Sequence, residues 1–296
     1  MDTQAYKKMM VFCLIVALLV GIASIIGVFF RGDMSSAEVV SVRGEHYEMV
    51  TTGIYRYNSL RMVAEGVGWD VFTLFIALPA LLFILPLLAR GSLAGRLLAM
   101  GLLAYFFYQY LMYALAWAFG PLFLFYIIIY VLGLAGTIWL AASIDVDMLA
   151  QQVSETFPRR SMIALNVIMS LILILMWVQR IAAGLQGDLA SAMLLGQTTM
   201  VIQALDLGMV VPLALFTALA LWRKKPSGYL LSAIFAVKAA AMFGAICAML
   251  LVVWVTEGTL EAVPLILFGG AMLAAVYIGV RIYKSVRGWD ADKQVT

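Results

Sequence analysis

The chain has 296 residues, of which 65% are hydrophobic and only 12% charged, with a formal net charge of +3. Soluble domains average about 45–50% apolar and about 25% charged residues, so a water-soluble core does not account for this composition. The small basic excess tracks the ends of apolar runs and calls for no nucleic-acid partner.

A bilayer core of ~30 Å is crossed by ~20 apolar residues in a helix. Eight segments meet that requirement, at about 9–30, 71–89, 97–118, 121–144, 161–183, 200–222, 229–255 and 263–283. The first run is longer than a signal-peptide core and lacks a small-x-small cleavage site before Arg31, which predicts a retained helix. Residues 31–70 form the long connection. Within it, AEVVSVRGEHYEMVTTGIYRY has strand-forming residues around a turn signal at Arg43-Gly44, which predicts a β-hairpin. NSLRMVAEGVGWD follows, and predicts a short helix capped by Asn58 or Ser59 and ended at the interface by Gly66, Gly68 and Trp69. Hairpin and short helix together are expected to make an ordered external cap between the first two spans. The whole chain, 1–296, reads as a single transmembrane domain, an all-α eight-helix bundle with no obvious internal repeat.

The connections sort by charge. Lys7, Lys8, Arg90, Arg96, Arg159, Arg160, Arg223, Lys224, Lys225, Arg281, Lys284, Arg287 and Lys293 fall on one side, 13 of the 19 lysines and arginines. The short opposite loops carry only Asp188, Glu257 and Glu261. The positive-inside rule then places both termini in the cytoplasm. The expected location is the plasma (inner) membrane of a prokaryote, multi-pass.

Polar residues inside the spans are the candidate site. MVIQALDLGMVVPLALF carries Gln203 and Asp206 at i, i+3, followed by Gly208 and Pro212. Pro212 lacks an N–H and clashes with the carbonyl of Gly208, which loosens the sixth span just inside the carboxylate. AIFAVKAAAMF places Lys238 in the seventh span, and Arg180 lies in the fifth. At ~1.5 Å per residue, Asp206 and Arg180 are nearly level in the outer half and Lys238 sits ~10 Å lower, within partial reach of its flexible stem. Asn166, Ser170 and Arg180 share a roughly 80° arc of the fifth span at ~100° per residue. Tyr105, Gln109 and Tyr113 recur at i, i+4, i+8 in the third span, and Tyr126 and Tyr130 in the fourth. The substrate- or ion-binding candidates are therefore Asp206, Lys238, Arg180, Gln203, Gln109, Tyr113 and Tyr130. Charges within a span cost about 2.5–3.5 kcal/mol on insertion scales and commonly mark a pathway or site. The competing account is a structural ion pair between two helices, with a passive proline kink.

Several chemistries are excluded. One histidine, His46, and two separated cysteines, Cys13 and Cys247, do not make a zinc site or a bis-histidine haem. GVGWD at 66–70 misses the GxGD of intramembrane aspartyl proteases by one residue. Lys238 lacks the neighbouring carboxylate of a rhodopsin Schiff-base lysine. Met162, Met169 and Met176 recur every seven residues, as flexible packing at a helix seam does. No metal and no cofactor is expected.

Three stretches, GWDVFTLFIALPALL, YALAWAFGPLFLFYIIIY and LDLGMVVPLALFTALALWRKKPSGYLLSAIFAVK, resemble an uncharacterised group of prokaryotic multispanning membrane proteins. The resemblance covers about 50 to 250. It implies the same eight-helix layout, with no substrate and no site residues attached.

Three functional readings stay open. One is a small-molecule or ion-coupled transporter (permease) in which Asp206 binds a proton or cation, Lys238 is its counter-charge and Arg180 attracts an anionic group. The second is a membrane-embedded enzyme or binding protein for a lipid, isoprenoid or quinone, suited by the aromatic third and fourth spans. The third is a sensory or accessory subunit with structural charges. The non-enzymatic readings lead, because no recognised catalytic set is present. The surroundings are the lipid bilayer and a small-molecule, ion or lipid ligand, with a protein partner or homo-oligomer left open.

Overall fold

The structure is a computed structural model that describes residues 3–286. Arg287 and Lys293, counted above with the basic side, lie outside the described residues. In chain order the elements are α1 (Thr3–Phe29), β1 (Ser36–Val40), β2 (His46–Val50), α2 (Leu60–Ala89), α3 (Leu93–Ala116), α4 (Phe123–Ala142), α5 (Val146–Gln152), α6 (Arg159–Leu185), α7 (Leu189–Ala192), α8 (Val201–Trp222), α9 (Pro226–Glu257) and α10 (Ala262–Ser285). Among the described residues, eight of these helices are long and apolar enough to cross a membrane; α5 and α7 are short turns in the connections.

The bundle is apolar on its outside. Phe83 is 82% exposed and Val263 78%, and large apolar side chains of α1, α4, α6 and α10 also face outward. Such a belt would aggregate in water and is ordinary for helices that face lipid tails. The inside is built around α3, whose Tyr105, Phe106, Tyr110 and Tyr113 are fully buried. It packs against α4 on one side and α9 on the other. Small residues permit these approaches, as is common where apolar burial alone does not drive helices together. Gly133 of α4 lies against the backbone of Phe107, and Gly68 of α2 against the backbone of Met249 in α9.

The predicted spans are all present, but the second is longer than expected. Ser59 does cap a helix, its hydroxyl accepting the Met62 amide at 3.2 Å. That helix does not stop at Gly66, Gly68 and Trp69. It runs on to Ala89, so no separate interfacial helix exists. The glycines do not end it because they are packing positions: Gly66 faces the Trp117 ring, and Gly68 faces α9. A proline within α2 is absorbed without a break. Thr73–Ala77 is a π-turn, with the Leu78 amide bonded to the Thr73 carbonyl, directly ahead of Pro79.

The expected hairpin is present. Strands β1 and β2 pair antiparallel from Ser36 opposite Val50 to Val40 opposite His46. The turn closes with the Ser41 amide on the Glu45 carbonyl at 2.8 Å, and Gly44 supplies the left-handed φ of 83°. Its base is clasped by Asp33, which accepts the Ser35 hydroxyl at 2.6 Å, the Thr52 hydroxyl at 2.5 Å and the Ser35 amide at 3.2 Å.

Contacts between connections define two ends. Arg96 donates to the Ser143 carbonyl at 2.8 Å and Arg281 to the Thr156 carbonyl at 3.3 Å, on the basic end. At the other end, the hairpin's Arg43 donates to the Thr198 carbonyl at 3.1 Å, and Asn58 accepts the Ala118 amide at 2.8 Å.

Two outcomes follow. Gly68→Ala puts a methyl group into the Met249 backbone, which has no soft side chain to yield. It should cost about 1–3 kcal/mol, the range for overpacking, in reversible unfolding from detergent micelles. The Ser35 and Thr52 hydroxyls and the Ser35 amide hold the Asp33 carboxyl down at about 2. A carboxyl depressed on folding contributes above its ordinary value and loses that contribution as the pH falls through its folded value. Amide exchange at Ser35, corrected for the intrinsic rate, should therefore stay protected at pH 5 and lose protection between about pH 4 and pH 2. Asp33→Asn should abolish that step.

Candidate functional site

The site starts from a break in helical regularity. In a regular helix the ring of Pro212 would meet the Gly208 carbonyl. The chain widens instead into a π-turn, Asp206–Val210, closed by the Val211 amide on the Asp206 carbonyl. Single π-turns of this kind are frequent at functional sites. Asp206 is the first residue of the turn and is buried.

Both oxygens of Asp206 are occupied. Oδ1 accepts the hydroxyl of Tyr108 from α3, and Oδ2 accepts Nε1 of Trp177 from α6 at 2.8 Å. The ammonium of Lys238, from α9, lies 4.6 Å from the centre of the Tyr108 ring. It is near enough to Asp206 to interact through space. Among the described residues, however, the two form no ion pair, and Lys238 has no hydrogen-bond acceptor. Its cation rests on an aromatic face.

These groups line a cavity of about 280 Å³ between α2, α3, α6, α8 and α9, with α10 at its edge. The backbone of α6 approaches the body mainly at α8 and only slightly at α10, and it meets α9 through side chains such as Leu165 and Met169 rather than by close backbone packing. The cavity is the space left between them. It runs from the hairpin end, where Arg61, Glu261 and Gln197 line it, down to Asn166, Ala214 and Phe235. Leu165, its deepest lining residue on α6, is six residues from the start of that helix, ~9 Å from the basic end. The walls between are mostly methionine, leucine, phenylalanine and tryptophan.

Two polar groups on the α6 wall are buried without a partner. Asn166 Nδ2 and Ser170 Oγ have no hydrogen bond among the described residues, and both residues line the cavity. At the mouth, Arg61 of α2 holds three carboxylates. It donates through Nε to Glu65 at 3.2 Å, through Nη1 to Glu257 at 3.1 Å, and through Nη2 to Glu261. This cluster ties the start of α2 to the α9–α10 junction. Arg180 lies over the Trp177 ring at 5.2 Å and has Glu65 and Glu261 as its acidic neighbours.

The loop between α6 and α8 closes one side. Its Leu194, Leu195 and Gln197 line the cavity, and Gln197 Nε2 donates to the Ala116 carbonyl at 3.0 Å. Glu45 in the hairpin turn accepts the Leu195 and Gly196 amides at 2.9 and 3.0 Å, so the hairpin holds this loop in place.

Of the residues expected from sequence, Asp206, Lys238, Arg180, Gln203 and Tyr113 all line the cavity. The tight Arg180–Asp206–Lys238 cluster that helix depth allowed is not formed. Arg180 turns toward the acidic mouth because Trp177, one turn before it on α6, already fills the contact with Asp206. Gln109 is placed elsewhere, accepting the Thr73 hydroxyl at 2.8 Å inside the α2–α3 packing. Tyr130 packs on the apolar core away from the cavity. Tyr113 donates its hydroxyl to the Gly66 carbonyl at 2.9 Å.

Several site residues escape the sequence reading. Tyr108 lies on a different face of α3 from the Tyr105–Gln109–Tyr113 stripe. Arg61 and Glu65 form an i, i+4 pair, a signal already present in the short helix expected over NSLRMVAEGVGWD. Asp70 is a second buried carboxylate, outside the cavity, that accepts the Tyr55 hydroxyl among the tyrosines of α3 and α4. Burial first, and then Asp70, push the Tyr55 phenol well above its ordinary range. No family model, curated protein or solved structure matches the chain.

Arg61→Ala leaves Glu65, Glu257 and Glu261 half-buried without the guanidinium that bonds all three, with only the more distant Arg180 near two of them. It should cost about 2 kcal/mol or more of stability by denaturant titration. Arg61→Lys should recover part of the loss, since an ammonium keeps the charge but not the three-way fork.

Proposed function

We propose that the protein is a membrane carrier for a small molecule, with the cavity as its substrate site and Asp206 as the group that couples binding to a proton or cation. The observation that supports this most directly is the state of the buried polar groups. A structural clamp closes its charges on each other. Here the Asp206 oxygens are taken by Tyr108 and Trp177, Lys238 reaches only an aromatic face, and Asn166 Nδ2 and Ser170 Oγ, in residues that line the cavity, are buried without a partner among the described residues. These groups are kept polar inside a bundle at a cost to the fold, as binding groups are. The π-turn at Asp206 places an adjustable helix segment beside them. The basic end faces the cytoplasm by the positive-inside rule, with both termini there, in the plasma membrane of a prokaryote. The cavity then opens outward beneath the hairpin.

The methionine- and phenylalanine-rich wall supports a second reading, a binding protein or enzyme for a lipid, isoprenoid or quinone. Access distinguishes the two. Leu173→Cys, in a Cys13→Ser, Cys247→Ser background and reconstituted in liposomes, puts one thiol halfway down the cavity. A carrier exposes it alternately, so a membrane-impermeant thiol reagent should label it from either face, and Asp206→Asn should confine labelling largely to one. Labelling from the hairpin face alone under every condition would remove carriage and leave the second reading.

A further inference from the structure

Polar groups inside the cavity differ in what they still lack. Asp206 already accepts from Tyr108 and Trp177, and Glu65 and Glu261 already accept from Arg61. The groups without a hydrogen-bond partner are chiefly donors. The Lys238 ammonium has three N–H bonds to give, the Asn166 amide two, and the Ser170 hydroxyl one. Asn166 is 6% exposed and Ser170 1%, so neither is satisfied by the surroundings of the bundle.

These donors converge although they come from different helices. Leu165 and Met169, beside Asn166 and Ser170 on α6, share one apolar cluster with Ala239 and Phe243, which follow Lys238 on α9. Asn166 and Ser170 lie 7 and 11 residues from the start of α6 and Lys238 12 residues from the start of α9, so at ~1.5 Å per residue the three donors stand within about 8 Å of one depth, on different walls. Above them, apart from Gln203 and the Asp206 carboxylate with its Tyr108 and Trp177 donors, the walls are largely apolar, formed by Met242, Ile246, Met249 and Leu250 of α9 against Leu173 and Met176 of α6. At about 280 Å³ the space is at the small end of ligand pockets, ~300–1,000 Å³, and suits one short chain rather than two long ones.

We infer that the cavity binds a small amphipathic anion, its carboxylate or phosphate head held by Lys238, Asn166 and Ser170 and its single apolar tail laid along the methionine-lined walls. This names the ligand class of the site proposed above and rests on that cavity being a ligand site. Arg180, higher up on the Trp177 ring, adds a second positive charge on the way in.

The test uses the full-length protein in nanodiscs and follows thermal unfolding with octanoate, octyl phosphate, octylamine and inorganic phosphate at equal concentration. A ligand of the folded state alone raises the midpoint. Octanoate or octyl phosphate should raise it by about 4 °C, octylamine should not, and inorganic phosphate should do less than half as much. Lys238→Met should weaken anion binding about tenfold or more. Asn166→Leu should also weaken it, while raising the ligand-free midpoint because a buried unpaired amide is gone. Octylamine equal to octanoate, inorganic phosphate equal to octyl phosphate, or no shift with any anion on folded wild-type protein overturns the inference. An anion-dependent shift together with one-sided labelling of Leu173→Cys keeps this inference and removes carriage alone.

Discussion

One carboxylate organises the polar half of this bundle. Asp206 sits on α8, takes a hydroxyl from α3 and an indole N–H from α6, and so joins three helices at one point. Asp206 is buried, so each of these bonds is worth more than it would be at a surface. The joint holds α6 against α8, with the α6 backbone standing away from that of α9. The opening between α6 and α9 is the cavity. Lys238 occupies its inner wall on the face of Tyr108, the same ring whose hydroxyl reaches Asp206. Tyr108 thus separates the two opposite charges while touching both.

The same helix that carries Asp206 is irregular at that residue, and α2 repeats the device. Each has a five-residue π-turn just ahead of a proline, Thr73–Ala77 before Pro79 and Asp206–Val210 before Pro212. A π-turn widens the helix enough to avoid the proline clash without breaking the chain of backbone hydrogen bonds, which lipid would not tolerate. In α2 the turn is locked, because Thr73 bonds both Tyr105 and Gln109. In α8 the turn borders the cavity, and Gly208 has open space around it. The difference in surroundings makes the first turn a packing solution and leaves the second beside open space.

The extramembrane parts serve the cavity as well. The hairpin reaches over the bundle to fix the loop before α8 through Glu45 and Arg43. Arg61 and its three carboxylates close the α2, α9 and α10 ends around the mouth. The cavity is therefore bounded by directional polar contacts at its mouth and by apolar packing at its floor. Among its lining polar groups, Asn166 Nδ2 and Ser170 Oγ are left without a hydrogen-bond partner among the described residues.

The sequence by itself determined the membrane class, the eight helices, the hairpin with its Arg43-Gly44 turn, and the sorting of basic residues to one end. All of these follow from local composition and period, which a single chain displays directly. It also marked Asp206, Lys238 and Gln203, because a charge or amide in an apolar run is visible without neighbours. Only the tertiary structure decided what those residues touch. Arg180 shares the depth of Asp206 but meets the acidic mouth, because the rotation of α6 sends Trp177 to the carboxylate instead. Gln109 and Tyr130 have the right spacing and the wrong neighbours. Gly66 and Gly68 look like a helix end and are contact points for Trp117 and Met249, which lie far along the chain. Tyr108 gives no signal in sequence, since a tyrosine in an aromatic helix is indistinguishable from packing until the helix opposite presents a carboxylate.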